Sequence, residues 1–313
     1  MKPIILSHSA DYDGQASAEI AGRYYKGNLD VYPIDYGDDV PWDQLKNRDV
    51  IMSDFSLKAP EMSKLCDIAK SVTYLDHHKS AIDELSKCDF WEKMNTLCTD
   101  KLAACEIVWS YFFNNKTLPK DESIIPKAIR MLGRYDSWRF DESEKERLFA
   151  FQYGLKSMGV TFGSTLWDEL LSDMSRTYPI DSFKSHILIQ DVIDRGTIVN
   201  DYYHDYINIE LNKRLGRTIS LKVKSKTYRI YAMNAPMTFS ESFLNGYDKA
   251  THDCCMSYYQ NADGTWSYSV YVQGDKTGKI SAVDVVRAIH PTNSGGHISA
   301  SGATTDKLLK ELQ

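Results

Sequence analysis

The first 80 residues alternate between short apolar runs and helical stretches, and this alternation narrows the fold more than any other feature of the chain. PIILS, LDVYPID, DVIMSD and SVTYLD read as strands, interrupted by a helix over Gln15 to Tyr25 and by APEMSKLCDIAKS, with Pro60 in its first turn. Short apolar runs separated by helices predict a parallel sheet covered on both faces. From Thr99 onward the pattern is helical. TDKLAACEIVWSYFFNN carries apolar residues at 102, 105, 108, 109 and 112, with Thr99 or Asp100 as its N-cap. SIIPKAIRMLGRYDSW predicts a further helix ending near Gly133.

Residues 181–215 read as one long, largely polar helix with Gly196 as its weak point, of the kind that often connects domains. Beyond it RTISLKV, KTYRIYAMN, HDCCMSYYQ and TWSYSVYVQ predict strands, the last two joined by an NADG hairpin turn, while ISAVDVVRAIH and TDKLLKELQ predict helices. At 313 residues the chain exceeds what one core usually serves. The expectation is an α/β domain over 1–180, a helical linker over 181–216 and a smaller mixed α/β domain over 217–313.

Each early strand ends in charge. SHSADYDGQAS places His8, Asp11 and Asp13 after the first strand, with Gly14 opening a helix. Alternate residues of an extended turn can point the same way, and mixed nitrogen and oxygen donors suit Mn²⁺, Fe²⁺ or Zn²⁺ better than Ca²⁺. A polar turn with an Asp cap accounts for the same residues. Asp54 closes DVIMSD, where a lone carboxylate is most simply a cap or turn residue. YLDHHKS delivers Asp76, His77 and His78; neighbours in an extended segment point to opposite sides, so one imidazole can face a metal and the other a substrate. A solvated loop is the plain alternative. Asp136 follows a helix in GRYDSW. In NSGGHISASGA, Gly295 and Gly296 can open the backbone to an anion with His297 as an added donor, or they form a flexible loop. Lys79 is placed to touch a phosphate or is simply solvated.

Position links these residues. Ligands of open parallel sheets bind beyond the carboxyl ends of the strands, which would gather five carboxylates and three imidazoles into one crevice. So many acids would repel and raise one another's pKa. Divalent cations resolve that repulsion, and two of them sharing a bridging carboxylate suit phosphoryl chemistry.

Composition sets the partner class. Net charge is 37 − 43 = −6, which argues against a long duplex nucleic acid and leaves room for a small anion. No run of 18 apolar residues exists and the N-terminus turns polar after six, so neither a membrane span nor a signal peptide is expected. The six cysteines form no CxxC, so reduced, mostly buried thiols in a cytoplasmic protein are expected.

His8-Ser9-Ala10-Asp11-Tyr12-Asp13-Gly14, Asp54, Asp76-His77-His78 and Asp136 resemble the four N-terminal motifs of the DHH phosphoesterase superfamily, which includes RecJ-like and nanoRNase-like phosphodiesterases. Gly295-Gly296-His297 with Ala300-Ser301-Gly302 resembles the closing motif of its DHHA1 domain, and Val283-Asp284-Val285 sits upstream. The resemblance runs from residue 8 to about 303 in order and spacing. It implies an N-terminal parallel-sheet DHH catalytic domain joined by a long helix to a smaller mixed α/β DHHA1-type domain. It also implies two divalent ions, usually Mn²⁺, one held by His8, Asp11 and Asp54, the other by Asp13, Asp54, His77 and Asp136. His78 would face the substrate phosphate and Asp76 would orient the imidazoles. His297 with Gly295 and Gly296 would grip a phosphate. The first motif is one residue shorter than the common H-x-N-P-D-x-D, and Ser294 replaces a frequent third glycine. SVYVQGDKTGK lacks the Arg of oligonucleotide-degrading members, leaving Lys276, Lys279 and Arg287 as substitutes.

The resulting expectation is a Mn²⁺-dependent phosphodiesterase acting on short oligonucleotides or dinucleotides, with no membrane partner and a homodimer left open. Its alternatives are a phosphomonoesterase for nucleotide bisphosphates, a polyphosphate-type hydrolase and a silent nucleotide-binding protein.

Overall fold

The computed structural model describes residues 1–172, 179–203, 209–236, 240–243, 245–273 and 279–313; Lys276 lies outside them. The chain divides into two compact units, Met1–Asn200 and Asp201–Gln313.

The first unit is built on five parallel strands, β1 (Ile4–His8), β2 (Asp30–Ile34), β3 (Asp49–Ser53), β4 (Ser71–Asp76) and β5 (Asn95–Cys98), in the order β2-β1-β3-β4-β5. Both faces are covered, as the apolar runs predict. Ile5, Ile51 and Leu75 pack into one cluster, while Ile4, Leu6, Val50, Met52 and Tyr74 pack into another. Successive side chains of a strand point to opposite faces, and each such buried side chain contributes about 1.5–3 kcal/mol. The crossovers are α1 (Tyr12–Tyr24), the short α2 (Trp42–Leu45), α3 (Ala59–Ile68) and α4 (Lys79–Leu85). Edge strand β5 is only partly buried and carries little apolar signal, so the sequence does not announce it.

The helices that follow differ from expectation at their ends. α5 runs Ala104–Phe113, not from Thr99 or Asp100, because the Glu106 side chain accepts the Ala103 N–H at 3.0 Å and fixes the start there. Thr99 instead accepts the Lys101 N–H in the turn before it. α6 spans Lys127–Asp136 and passes through Gly133, so Asp136 sits in its last turn and does not follow the helix. Three further helices complete the unit: α7 (Glu142–Ser157), α8 (Leu166–Leu170) and α9 (Pro179–Tyr202). Within the single helix predicted over 181–215, α9 and α10 (Ile209–Leu215) are helical, and 204–208 lie outside the described residues. Gly196 is a point of contact, not weakness: a Cβ there would lie 1.6 Å from the Ala150 carbonyl oxygen of α7. At Gly154 of α7 a Cβ would lie 1.9 Å from the Val192 carbonyl oxygen of α9.

In the second unit six strands, β6 (Gly216–Val223), β7 (Lys226–Asn234), β8 (Cys254–Gln260), β9 (Trp266–Tyr271), β10 (Ser294–Gly296) and β11 (Ala300–Thr305), take the order β10-β11-β9-β8-β7-β6. The β7–β8 pair is parallel and the others are antiparallel, so the sheet is mixed. The NADG turn forms as predicted, with Gly264 at φ +90° closing onto the Asn261 carbonyl. Helix α11 (Ala282–Ile289) packs on this sheet. The predicted C-terminal helix does not form. β11 occupies its start, and after it only a single 3₁₀ turn at Lys310–Leu312 is helical. Leu308, Leu309 and Leu312, whose spacing suggests a helix, pack against the core of the sheet, where the Tyr268 hydroxyl accepts the Leu309 N–H at 3.1 Å. No helix among the described residues is long and apolar enough to cross a membrane.

Candidate metal centre

Strands β1, β3 and β4 end side by side, and their last residues converge. Asp11 caps α1 through Oδ1, which accepts the Gly14 N–H at 3.0 Å, and its Oδ2 lies 3.2 Å from His8 Nδ1. His8 Nδ1 is in turn 3.7 Å from Asp54 Oδ2. His8, Asp11 and Asp54 thus form one group able to hold a cation, and the capping reading of Asp11 and the ligand reading describe different oxygens of one carboxylate. Within it, His8 Nδ1 and Asp54 Oδ2 are buried without a hydrogen-bond partner. Buried polar atoms are normally satisfied. Two orphans facing each other across 3.7 Å, with a nearby carboxylate oxygen, fit a divalent cation with mixed nitrogen and oxygen donors.

The second group is Asp13, His77 and Asp136. His77 Nε2 lies 3.2 Å from Asp54 Oδ1, 3.3 Å from Asp136 Oδ2 and 3.7 Å from Asp13 Oδ2. Asp54 therefore presents one oxygen to each group. Asp13 is held from behind, since its two oxygens accept the Ala104 N–H at 2.8 Å and the Cys105 N–H at 2.7 Å at the start of α5. Asp76, fully buried, accepts from the Tyr74 hydroxyl at 2.5 Å and from the His77 N–H at 2.7 Å, and its Oδ1 lies 2.8 Å from His78 Nδ1. Asp76 thereby fixes the His78 ring. Asp54 reaches its place through a left-handed backbone, φ +55°, a conformation that costs most residues roughly 1–2 kcal/mol and Asp less.

Without cations, protons take over part of the neutralisation. Burial disfavours a charged His8, but Asp11 and Asp54 outweigh it and hold its pKa up at about 11. His77 behaves alike: burial opposes its charge, yet Asp54, Asp136 and Asp13 raise its pKa well above the ordinary value. Asp54 is buried too, and the neighbouring imidazoles of His77 and His8 nevertheless keep its carboxyl below the usual range. Asp13 is pushed up by burial and by Asp54 and Asp136. Asp136 is pushed up to about 7, first by burial and then by Asp11 and Asp54, against the pull of His77.

Four residues of the neighbourhood escape sequence reasoning. Asp35, at the end of β2, has Oδ1 3.1 Å from His8 Nε2 and accepts the Tyr36 N–H at 2.7 Å with the same oxygen, so the His8 nitrogen turned away from Asp54 is the one engaged. The strand-end rule that picks out Asp54 would have found it in LDVYPID. Tyr36, exposed, stands edge-on to the His8 ring at 5.7 Å. Glu106, with no exposed surface, pairs with Arg139, which also binds Glu122. Burial lifts the Glu106 pKa to about 7, and Arg139 pulls it back. The A-x-x-E spacing at the start of α5 was the available signal for Glu106; Arg139 had none.

Lys79, opening α4, lies 3.4 Å from Asp83 and 3.9 Å from Asp100, so its charge is shared with surface carboxylates. In the second unit Gly295 and Gly296 belong to β10, an edge strand paired with β11, where the alternative reading had a flexible loop. Gly296 has φ +130°, and the His297 N–H donates to the Ala300 carbonyl at 2.7 Å, closing the hairpin. Arg287 is exposed in the last turn of α11, and Lys279 is exposed shortly before that helix.

No family model matches the chain. An uncharacterized protein of Acanthamoeba polyphaga mimivirus is 23% identical, and the match covers 96% of this chain but 66% of that protein, so the chain spans about two thirds of the relative's length. Among solved structures, RecJ from Thermus thermophilus in complex with Mn²⁺ aligns with a TM-score of 0.49 at 13% identity, covering 97% of this chain and 50% of that one. A pGpG-specific phosphodiesterase, PggH from Vibrio cholerae, gives 0.45 at 14%, covering 97% and 93%. An uncharacterized protein from Helicobacter pylori gives 0.42 at 16%, covering 98% and 94%. Likeness at TM-scores below 0.5 is too slight to carry function, so a function for this chain has to rest on its own residues.

Proposed function

We propose that this chain is a divalent-metal-dependent phosphoesterase, with Mn²⁺ as the favoured ion, that cleaves phosphodiesters in short oligonucleotides or dinucleotides. The observation that carries the reading is Asp54, buried, with one oxygen turned to each of two clusters of ligand-type side chains. His8, Asp11 and Asp54 would hold one cation, and Asp13, Asp54, His77 and Asp136 the other. Bound there, divalent cations supply Lewis acidity and positive charge toward a phosphoryl group.

The chain's own residues do the rest. Asp76 fixes the His78 ring through Nδ1, and the ring when protonated would donate from Nε2 to a phosphoryl oxygen. The amides of Ala104 and Cys105 keep Asp13 aligned, and Asp35 orients His8. Gly295, Gly296 and His297 would bind a second phosphate, as the motif resemblance implies. The net charge of −6 favours a small anionic substrate over a long polyanion.

The test is an assay with Mn²⁺ across di- to deca-nucleotides, cyclic dinucleotides, nucleotide bisphosphates and tripolyphosphate. Hydrolysis of the short diesters that stops on chelation is the expected result. Turnover confined to bisphosphates or tripolyphosphate would move the reading to a phosphomonoesterase or a polyphosphate hydrolase. Nucleotide binding without turnover in any metal would leave a silent binding protein.

A further inference from the structure

We propose that the buried Glu106–Arg139 ion pair is a positioning device: it sets the separation of Asp13 from Asp136 and thereby the affinity of the one cation that these two residues share with His77. The inference rests on the metalloenzyme reading above.

The two carboxylates arrive from different directions. Asp13 is anchored on the first amides of α5, those of Ala104 and Cys105, while Asp136 rides the last turn of α6. Nothing in the strand framework links those two helix ends. Glu106 and Arg139 do. Glu106 lies in the first turn of α5, directly after the amides that hold Asp13, and binds back to Ala103 at 3.0 Å. Arg139 lies three residues beyond Asp136 and meets the Glu106 carboxylate with one guanidinium nitrogen and Glu122 with another.

The turn carrying Arg139 is itself tied down. Its Nε donates to Ser137 Oγ at 2.7 Å, Ser137 Oγ donates to the Gly133 carbonyl at 2.6 Å, and Arg134 Nε donates to the Arg139 carbonyl at 2.8 Å. The helices also meet without slack. A Cβ on Gly133 of α6 would stand 2.3 Å from the Glu106 carboxyl carbon. The helices also share core packing and a Cys105 Sγ to Ile129 carbonyl contact at 3.7 Å, but at the end near Asp136 the spacing is set by one carboxylate, one guanidinium and one missing methyl group.

Stability alone is a poor reason for such a pair. Well-packed apolar residues commonly do as well in its place, and Glu106, once ionised, adds a negative charge to a neighbourhood already rich in carboxylates. What a guanidinium and a carboxylate provide, and apolar packing does not, is directional geometry.

The experiment is a Mn²⁺ titration of the full chain by calorimetry and electron paramagnetic resonance, in the wild type, Arg139→Met, Glu106→Gln and Gly133→Ala, with thermal melts alongside. Wild type is expected to take two cations. Each variant should keep one at the wild-type affinity and bind the other about 10–100-fold more weakly, the usual effect of losing a residue that supports a ligand. Arg139→Lys should restore only part of the loss, since an ammonium lacks the planar fork. If Arg139→Met loses its cooperative melt, Glu106→Gln decides, because it keeps the volume and the bond to Ala103. Two cations at unchanged affinity in folded variants, or equal weakening of both, would overturn the inference and leave the pair merely structural. A wild type that takes up no cation would instead overturn the metalloenzyme reading, and this inference with it.

Discussion

The two sheets of this protein end differently. In the parallel sheet of the first unit every strand finishes at the same edge, so β1, β3 and β4 set His8, Asp54 and Asp76 to His78 side by side, mostly out of water. In the mixed sheet of the second unit most neighbours run in opposite directions, and the motif residues 294–302 lie within one edge hairpin. A parallel sheet collects chemistry from distant parts of the sequence by topology alone. An antiparallel edge offers only what one local hairpin contains. On the proposed function, the first would govern turnover and the second the grip on substrate.

The sharpest way to break that contrast is Asp54→Asn. Its two oxygens serve both cation groups, so turnover on a dinucleotide in Mn²⁺ should fall by roughly three orders of magnitude or more, because both cations would lose a ligand. Near-normal rates would sink the two-metal reading.

His297→Ala probes the other sheet. It should raise KM about tenfold and leave kcat nearly unchanged, as loss of uniform phosphate binding does. A comparable collapse of kcat would move chemistry into the second unit and erase the contrast.

Glu106→Gln sharpens the comparison on the stability side. The pKa of Glu106 stands at about 7 against 4.5 for an ordinary Glu, so the folded protein keeps a proton that the unfolded chain gives up. This group's stabilisation is full below pH 4.5 and declines as pH rises toward 7. Gln cannot ionise. Thermal melts of the variant should therefore gain on wild type between those pH values, by at most roughly 1.4 kcal/mol per pH unit, and the gap should then stay level. A gap that is flat with pH would place Glu106 outside the low-dielectric part of the first unit.

The smallest effect belongs to Lys79→Ala. With its charge shared between Asp83 and Asp100 at the surface, the change in kcat/KM should stay below about twofold.

Legibility in the sequence follows the same division. β1, β3 and β4 and their charged ends could be read because a buried parallel strand is a plain apolar run and the residue that stops it is visible, while the edge strand β2 was legible only through Val31, Tyr32 and Ile34. β5 could not, because an edge strand keeps one side in water and needs no such run. β11 goes unread, since ASGATT is small and nondescript, and beyond it Leu308, Leu309 and Leu312 happen to fall at helical spacing. The cysteines are free, with Cys105, Cys254 and Cys255 buried and Cys66, Cys88 and Cys98 half-buried, where mostly buried thiols were expected. Glu106 and Arg139 lay beyond reach for another reason: 33 residues separate them, and only the meeting of α5 and α6 makes them a pair.

The left-handed turn of the backbone at Asp54 has a consequence for which substitutions the position can accept. The main chain there favours Gly, Asn and Asp over other residues and strains a β-branched side chain most, because a branched Cβ is crowded at φ +55°. The side chain, meanwhile, must present two oxygens in opposite directions. Two unrelated filters, one steric and one electrostatic, overlap on a single amino acid. Asp54→Ala would disturb both at once, whereas Asp54→Asn passes the first filter and fails only the second, so its loss of activity can be charged to the missing carboxylate alone.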